Sequence, residues 1–236
     1  MVISLQISTE FVLFSPDHWW PLVIATIITM FFIGFANKYL NSDQKRILGF
    51  LISLVPVFCV LFRMYMEYKT GIFSIQGSLP LHLCRILAFI LPFVMYIENR
   101  KWLGVMYFLV LVGTASAIIT PDEKTIFPNW SYIVYFSLHL GLVMTMMYAI
   151  FVYKFKLNWS DYFEAIRVTL GYAILVTLLN IFIGSNYFYT MGTPGSETLL
   201  NKLGPWPWYI LSGLVLVCIL YFIVLIPYLL VKRKYE

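Results

Sequence analysis

Six residues with chemical reach sit inside long apolar stretches of this chain: Arg63, His82, Cys84, Arg85, His139 and Asn180. A polar group in hydrocarbon is costly unless it is paired, hydrated or used. Imidazole is the natural acid–base group near neutral pH. A thiol beside it becomes a nucleophile once its proton is drawn away. A guanidinium fork suits phosphate or carboxylate, and an amide can donate to an oxyanion. Arg63, His82, Arg85, His139 and Asn180 at one depth suggest a single polar site open to the outside.

Spacing refines the assignment. Arg63 and Glu67 are four apart and share a helix face, which fits a local ion pair as well as an anion ligand. His82 and Arg85 are three apart and face one way, while Cys84 points elsewhere if the helix is regular. Packing is the default role of a membrane cysteine. His139 lies nine residues past Trp130, about 13 Å deep at ~1.5 Å per residue. That is too deep for an interface residue, and Tyr135, Ser137 and Thr114 are its possible partners. Asn180 either ties two helices together or donates to the oxyanion. Asn186 and Tyr187 follow it, and Trp206 and Trp208 stand in a stiff Pro-Trp-Pro-Trp run. That run reads as an interfacial anchor or as a rim over the polar site. By contrast Ser53, Thr145 and Thr169 need only bond to their own helix backbone.

The elements that position these groups follow from composition. Of 236 residues, 61% are hydrophobic and 11% are charged, less than half the usual charged share of a soluble domain. The chain is therefore expected to be all-α, a single polytopic domain over 1–236. Seven spans are predicted at about 19–36, 47–66, 80–97, 102–120, 131–153, 165–184 and 206–230. Pro80 is expected near the start of the third helix. Segment 1–18 is apolar but too short to span and is expected along the interface. No cleavable signal peptide is expected, since Glu10 and Asp17 precede the first long apolar run. Outside the spans, eleven Lys and Arg fall on one side, among them Lys232, Arg233 and Lys234. Three (Lys69, Lys124 and Lys202) fall on the other. The positive-inside rule then places the N-terminus out and the C-terminus in. It also explains the net charge of +5 without nucleic acid. Cys59, Cys84 and Cys218 show no metal-ligand spacing and no disulfide pattern, so no metal and no cofactor are expected.

Several stretches resemble the YwaF-like family of bacterial multi-pass membrane proteins. They are Leu79-Pro80-Leu81-His82-Leu83-Cys84, Gly113-Thr114 through Thr120-Pro121, and His139. Asn180 through Ser185-Asn186-Tyr187 and Gly204-Pro205-Trp206-Pro207-Trp208-Tyr209 complete the set. The resemblance covers about residues 78–230 and implies a seven-helix fold. That family is distantly similar to a eukaryotic acyltransferase that remodels ether phospholipids through a Cys and a His. It is also similar to small membrane hydrolases of lipid esters that use a Thr and a His.

The expected function is thus an acyltransferase or lipid-ester hydrolase at an outward-facing site of the cell membrane. His139 or His82 would be the base, with Cys84, an acceptor hydroxyl or water as nucleophile. Membrane lipids are the expected partners, with a lysophospholipid or lipoprotein as acceptor. The alternative is an outward-facing small-solute binding or transport subunit. The polar-poor inner half of the spans counts against an autonomous transporter.

Overall fold

Asparagines set where most helices begin. In the computed structural model, which describes residues 10–195 and 198–235 (side chains to residue 230), Asn41 and Gln44 form a reciprocal capping box that opens α2, Ser42–Lys69. Asn158 and Asp161 do the same for α6, Trp159–Ile183. Asn99 caps α4, Arg100–Ile119, and Asn129 caps α5, Trp130–Tyr153. Each side-chain oxygen takes up an N–H that the first turn leaves unsatisfied. Gly184, at φ 66°, ends α6 in the left-handed region that glycine adopts without strain. Helix α1 is Pro16–Tyr39, α3 is Leu83–Ile97 and α7 is Trp208–Tyr235.

Six of these seven helices are long and apolar enough to cross a membrane, and no strand occurs among the described residues. The exception is α3, whose 15 residues reach only ~22 Å against a hydrocarbon core of ~30 Å. The helix expected over 80–97 starts at Leu83 instead, because residues 79–82 run extended or turned and His82 is the N-cap. Irregular backbone at this place survives where side chains satisfy it. The Tyr187 hydroxyl accepts from Leu79 N–H at 2.9 Å, and Tyr172 donates to Leu81 C=O at 2.6 Å. Arg85 donates to the carbonyls of Gly77 and Leu79.

Burial separates the helices into centre and rim. In the most apolar windows of α4 and α5, 61% of residues are buried, against 11% in α1 and 17% in α7. The rim helices turn Ile24, Met30, Phe31, Phe58, Ile174 and Phe182 outward. Such an apolar surface fits lipid and not water. Residues Met1–Thr9 of the expected interfacial segment lie outside the described residues, as do the side chains of Lys232, Arg233 and Lys234. Phe11 is tucked in: its N–H donates to Lys124 C=O, and its ring packs on His18 and Phe136.

The bundle has two distinct ends. At one, Arg100 grips the buried Asp161 through two bonds, at 2.8 and 2.6 Å. A Cβ on Gly104 would lie 2.7 Å from that carboxylate. Gly104→Ala is therefore expected to overpack the contact and to cost ~1–3 kcal/mol. A thermal melt of the purified protein checks this, and an unchanged midpoint would refute it. The other end carries the loops 70–82, 120–129 and 184–207 and the polar residues of interest.

Two stretches inside the helices are π-helical: Leu109–Thr114 in α4 and Ala149–Tyr153 in α5. Such turns recur at functional sites. The first packs against both α3 and α5. It comes close at Gly113, where a Cβ would meet the Leu83 side chain at 3.2 Å.

Candidate functional site

The N-terminus of α3 faces the middle of α5 across a cavity of about 350 Å³, within the usual size for a small-molecule site. Arg63, His82, Cys84, Arg85 and His139 all line it, together with Thr114, Asp122, Tyr135 and Tyr189. The one-depth cluster expected from the spans is thus a shared wall. The expectation that Cys84 points away from His82 and Arg85 does not hold. It assumed a helix running through residue 82. With His82 extended as the N-cap, the helical phase begins at Leu83 and Cys84 turns into the cavity.

Cys84 and His139 both line this cavity, and the Arg85 backbone N–H is taken by His82 C=O at 2.9 Å. His139 is buried, and its Nδ1 lies 2.7 Å from Tyr135 C=O. A carbonyl only accepts, so Nδ1 carries the proton and the other ring nitrogen, Nε2, is left as an acceptor. The Tyr135 ring, 4.3 Å away between centroids, holds the imidazole in place. Cys84 is the second residue of α3, among N–H groups that have no intrahelical acceptor and favour negative charge. A thiol, an imidazole and a carbonyl that fixes the imidazole's tautomer therefore share this cavity wall.

The other predicted residues take different places. His82 sits between the rings of Tyr187 and Tyr189, with centroids 5.3 and 5.2 Å away. Arg63 pairs with the buried Glu67 at 2.7 Å through Nε, as its spacing predicted, and also lines the cavity. Asn180, Asn186, Tyr187, Trp206 and Trp208 do not line it. All four hydrogen bonds of the Asn180 amide are spent. Nδ2 donates to Tyr187 C=O and Thr190 Oγ1, and Oδ1 accepts from Ser185 Oγ and Tyr187 N–H. It has nothing left for an oxyanion. Asn186 ties Met191 to Gly192. Trp206 donates to Thr190 C=O, and both it and Trp208 are otherwise exposed, in keeping with an interfacial anchor.

Sequence reasoning missed Asp122 and Tyr189. The Tyr189 hydroxyl donates to Asp122 Oδ2 at 2.7 Å. Burial, and then the Asp122 carboxylate, push this phenol well above its usual range, so it remains a donor. Phe188 and Tyr189 hold left-handed backbone at φ 59° and 55°, an uncommon and strained state for large residues. Tyr209 holds Tyr189 from below by donating to its carbonyl. The only forewarning was the aromatic run Tyr187-Phe188-Tyr189 after a helix-ending glycine.

Away from the polar end the cavity is lined between α6 and α7 by Ala173, Leu214, Val217 and Leu220, an apolar slot that also takes in Thr169 and Tyr221. These two hydroxyls are hydrogen-bonded to each other at 2.9 Å. Along α7 the lining runs from Tyr209 to Tyr221, ~18 Å at 1.5 Å per residue. That is close to one leaflet of hydrocarbon, half of ~30 Å.

The model of the TMEM164 family matches residues 13–226, which include every residue of the cavity wall. The chain belongs to the TMEM164 family. It is a multi-pass membrane protein on the strength of that membership and of its six long apolar helices. No curated protein and no solved structure matches it. For this TMEM164-family chain the chemistry of the site is therefore read from its own residues.

Proposed function

We propose that this protein is a membrane-embedded acyltransferase or lipid-ester hydrolase in which Cys84 is the nucleophile and His139 the base. The observation that carries the proposal is a thiol, Cys84, and an imidazole, His139, lining one cavity that runs on into an apolar slot between α6 and α7.

The steps follow from the geometry. His139 Nε2 takes the Cys84 proton, and the sulfur attacks the ester carbonyl carbon of a lipid. The carbonyl π pair moves onto oxygen. When it returns, the lipid alkoxide leaves and takes the proton from the imidazolium. A thioester on Cys84 and a lysolipid hydroxyl result. A second hydroxyl, or water, then gives its proton to His139 and attacks the thioester. The acyl group passes to it and the thiol is restored. The identity of that second nucleophile separates transfer from hydrolysis.

Arg63 and Arg85 supply the cationic rim for the lipid phosphate. Glu67 orients the Arg63 guanidinium through Nε, which leaves its terminal N–H groups for a ligand. A lysophospholipid or lipoprotein acceptor fits the same rim and slot. The positive-charge bias puts this end of the bundle outside the cell membrane, with seven spans and α3 as the short one. The likeness to the YwaF-like bacterial proteins and the ether-phospholipid acyltransferases belongs to this reading. A solute transporter fits less well, since the polar wall ends at an apolar slot whose lining stops at Thr169 and Tyr221.

The test is lipid mass spectrometry on cells lacking the protein, complemented with wild type, Cys84→Ala, His139→Ala or His82→Ala at equal abundance. One lipid or lipoprotein acylation product should vanish on deletion. Wild type should restore it, and the Cys84 and His139 variants should not. If no lipid class changes on deletion, the acyl-chemistry reading is wrong and solute uptake becomes the better account.

A further inference from the structure

Threonines in the helices of this chain behave alike with one exception. The hydroxyls of Thr26, Thr29, Thr145, Thr169 and Thr177 each donate to the backbone carbonyl four residues earlier. That is the ordinary way to satisfy such a group within a helix. Thr114 Oγ1 is buried, at 1% residue exposure, and has no partner.

The cause lies in the backbone. Thr114 closes the π-helical turn Leu109–Thr114. A π turn carries its hydrogen bonds one residue further back than an α turn does, so the carbonyl a threonine normally uses is displaced. A buried hydroxyl without a partner costs roughly 1–3 kcal/mol. Among the described residues four buried side-chain atoms lack a partner, those of Ser15, Arg46, Glu67 and Thr114, and of these only Thr114's belongs to a residue lining the cavity of Cys84 and His139. The turn packs against α3, which carries the first, and α5, which carries the second.

We propose that Thr114 Oγ1 is the hydrogen-bond donor to the carbonyl oxygen of the bound ester, and to the oxyanion that forms when Cys84 attacks. The proposal rests on the acyl-chemistry reading above and adds a residue to it. Asn180 is saturated and cannot take this part, whereas Thr114 holds an unspent donor in a preorganised, desolvated position. In the first step the sulfur–carbon bond forms and the carbonyl π pair moves to oxygen, where the Thr114 O–H receives it. The pair returns as the alkoxide departs, and the Thr114 proton never leaves its oxygen.

The experiment uses the full chain in phosphatidylcholine nanodiscs and two thiol reagents. A p-nitrophenyl fatty ester acylates through a tetrahedral oxyanion. Iodoacetamide alkylates the same sulfur without one. Both adducts are assigned to Cys84, Cys59 or Cys218 by peptide mass spectrometry. Thr114→Val should lower the rate of Cys84 acylation by about 10²–10³-fold, the usual effect of deleting an oxyanion donor. Cys84 alkylation should keep its wild-type rate, and Thr114→Ser should restore most of the acylation. Thr114→Val removes an unsatisfied hydroxyl, so its thermal midpoint should equal or exceed wild type.

An unchanged acylation rate in Thr114→Val overturns the proposal and leaves the Cys84–His139 reading intact. Equal losses of acylation and alkylation also overturn it, because Thr114 would then position the thiol rather than stabilise charge. An acyl adduct found on Thr114 would make it the nucleophile instead. Failure of the wild-type protein to form any acyl adduct on Cys84 would sink the acyl-chemistry reading itself.

Discussion

Cys84→Ala eliminates the acyl-enzyme, and His139→Ala slows its formation by about 10⁴-fold or more, in the range seen when a nucleophile–base unit loses one member. The two losses should not add, because the proposed mechanism makes the sulfur and the imidazole one unit. His82→Ala should do far less, since His82 packs its ring on Tyr187 and Tyr189. Single-turnover release of p-nitrophenol from a fatty ester measures the rates, and the mass of the Cys84 peptide reports the intermediate. Wild-type rates in both Cys84→Ala and His139→Ala would end the proposed mechanism. A rate loss on His82→Ala equal to that of His139→Ala would move the base to His82.

Asn180→Leu is expected to be the most damaging substitution for stability outside the packed core. The variant nearly conserves volume and strips partners from Tyr187 N–H, Tyr187 C=O, Ser185 Oγ and Thr190 Oγ1. Each buried group left unpaired costs ~1–3 kcal/mol, though neighbours in one network do not sum independently. A loss of at least ~3 kcal/mol is expected. The damage should reach the site, because Tyr187 braces the extended segment before Cys84 and Tyr189 bonds Asp122 on the cavity wall. A melt followed by tryptophan fluorescence, with protease sensitivity of the 184–207 loop, measures both effects. A wild-type midpoint with an intact loop would show that the Asn180 bonds are dispensable.

Much of this was legible in the residues alone. Apolar stretches of span length can be satisfied only as helices in lipid, so the helical class followed from composition, and six of the seven expected spans are long apolar helices. The Arg63–Glu67 pair followed from four-residue spacing, and the back-bonding of Thr145 and Thr169 from a local rule. The depth assigned to Arg63, His82, Arg85, His139 and Asn180 came from counting residues inward from span ends, and all but Asn180 line the one cavity. All of these depend on neighbours within one turn, or on the solvent the whole segment meets.

What tertiary structure decided was direction and saturation. Periodicity assigns faces only once the first helical residue is known, and Tyr187, Tyr172 and Arg85 hold residues 79–82 out of helix from elsewhere in the fold. That shift of start, from Pro80 to Leu83, turned Cys84 toward His139. Whether a polar side chain is free depends on partners brought in from distant loops, so Asn180, read as a donor, is full. The π turn at Leu109–Thr114, wedged between α3 and α5, leaves Thr114 unspent. A sequence lists the groups that can hydrogen-bond; only the packed chain determines which of them are already used.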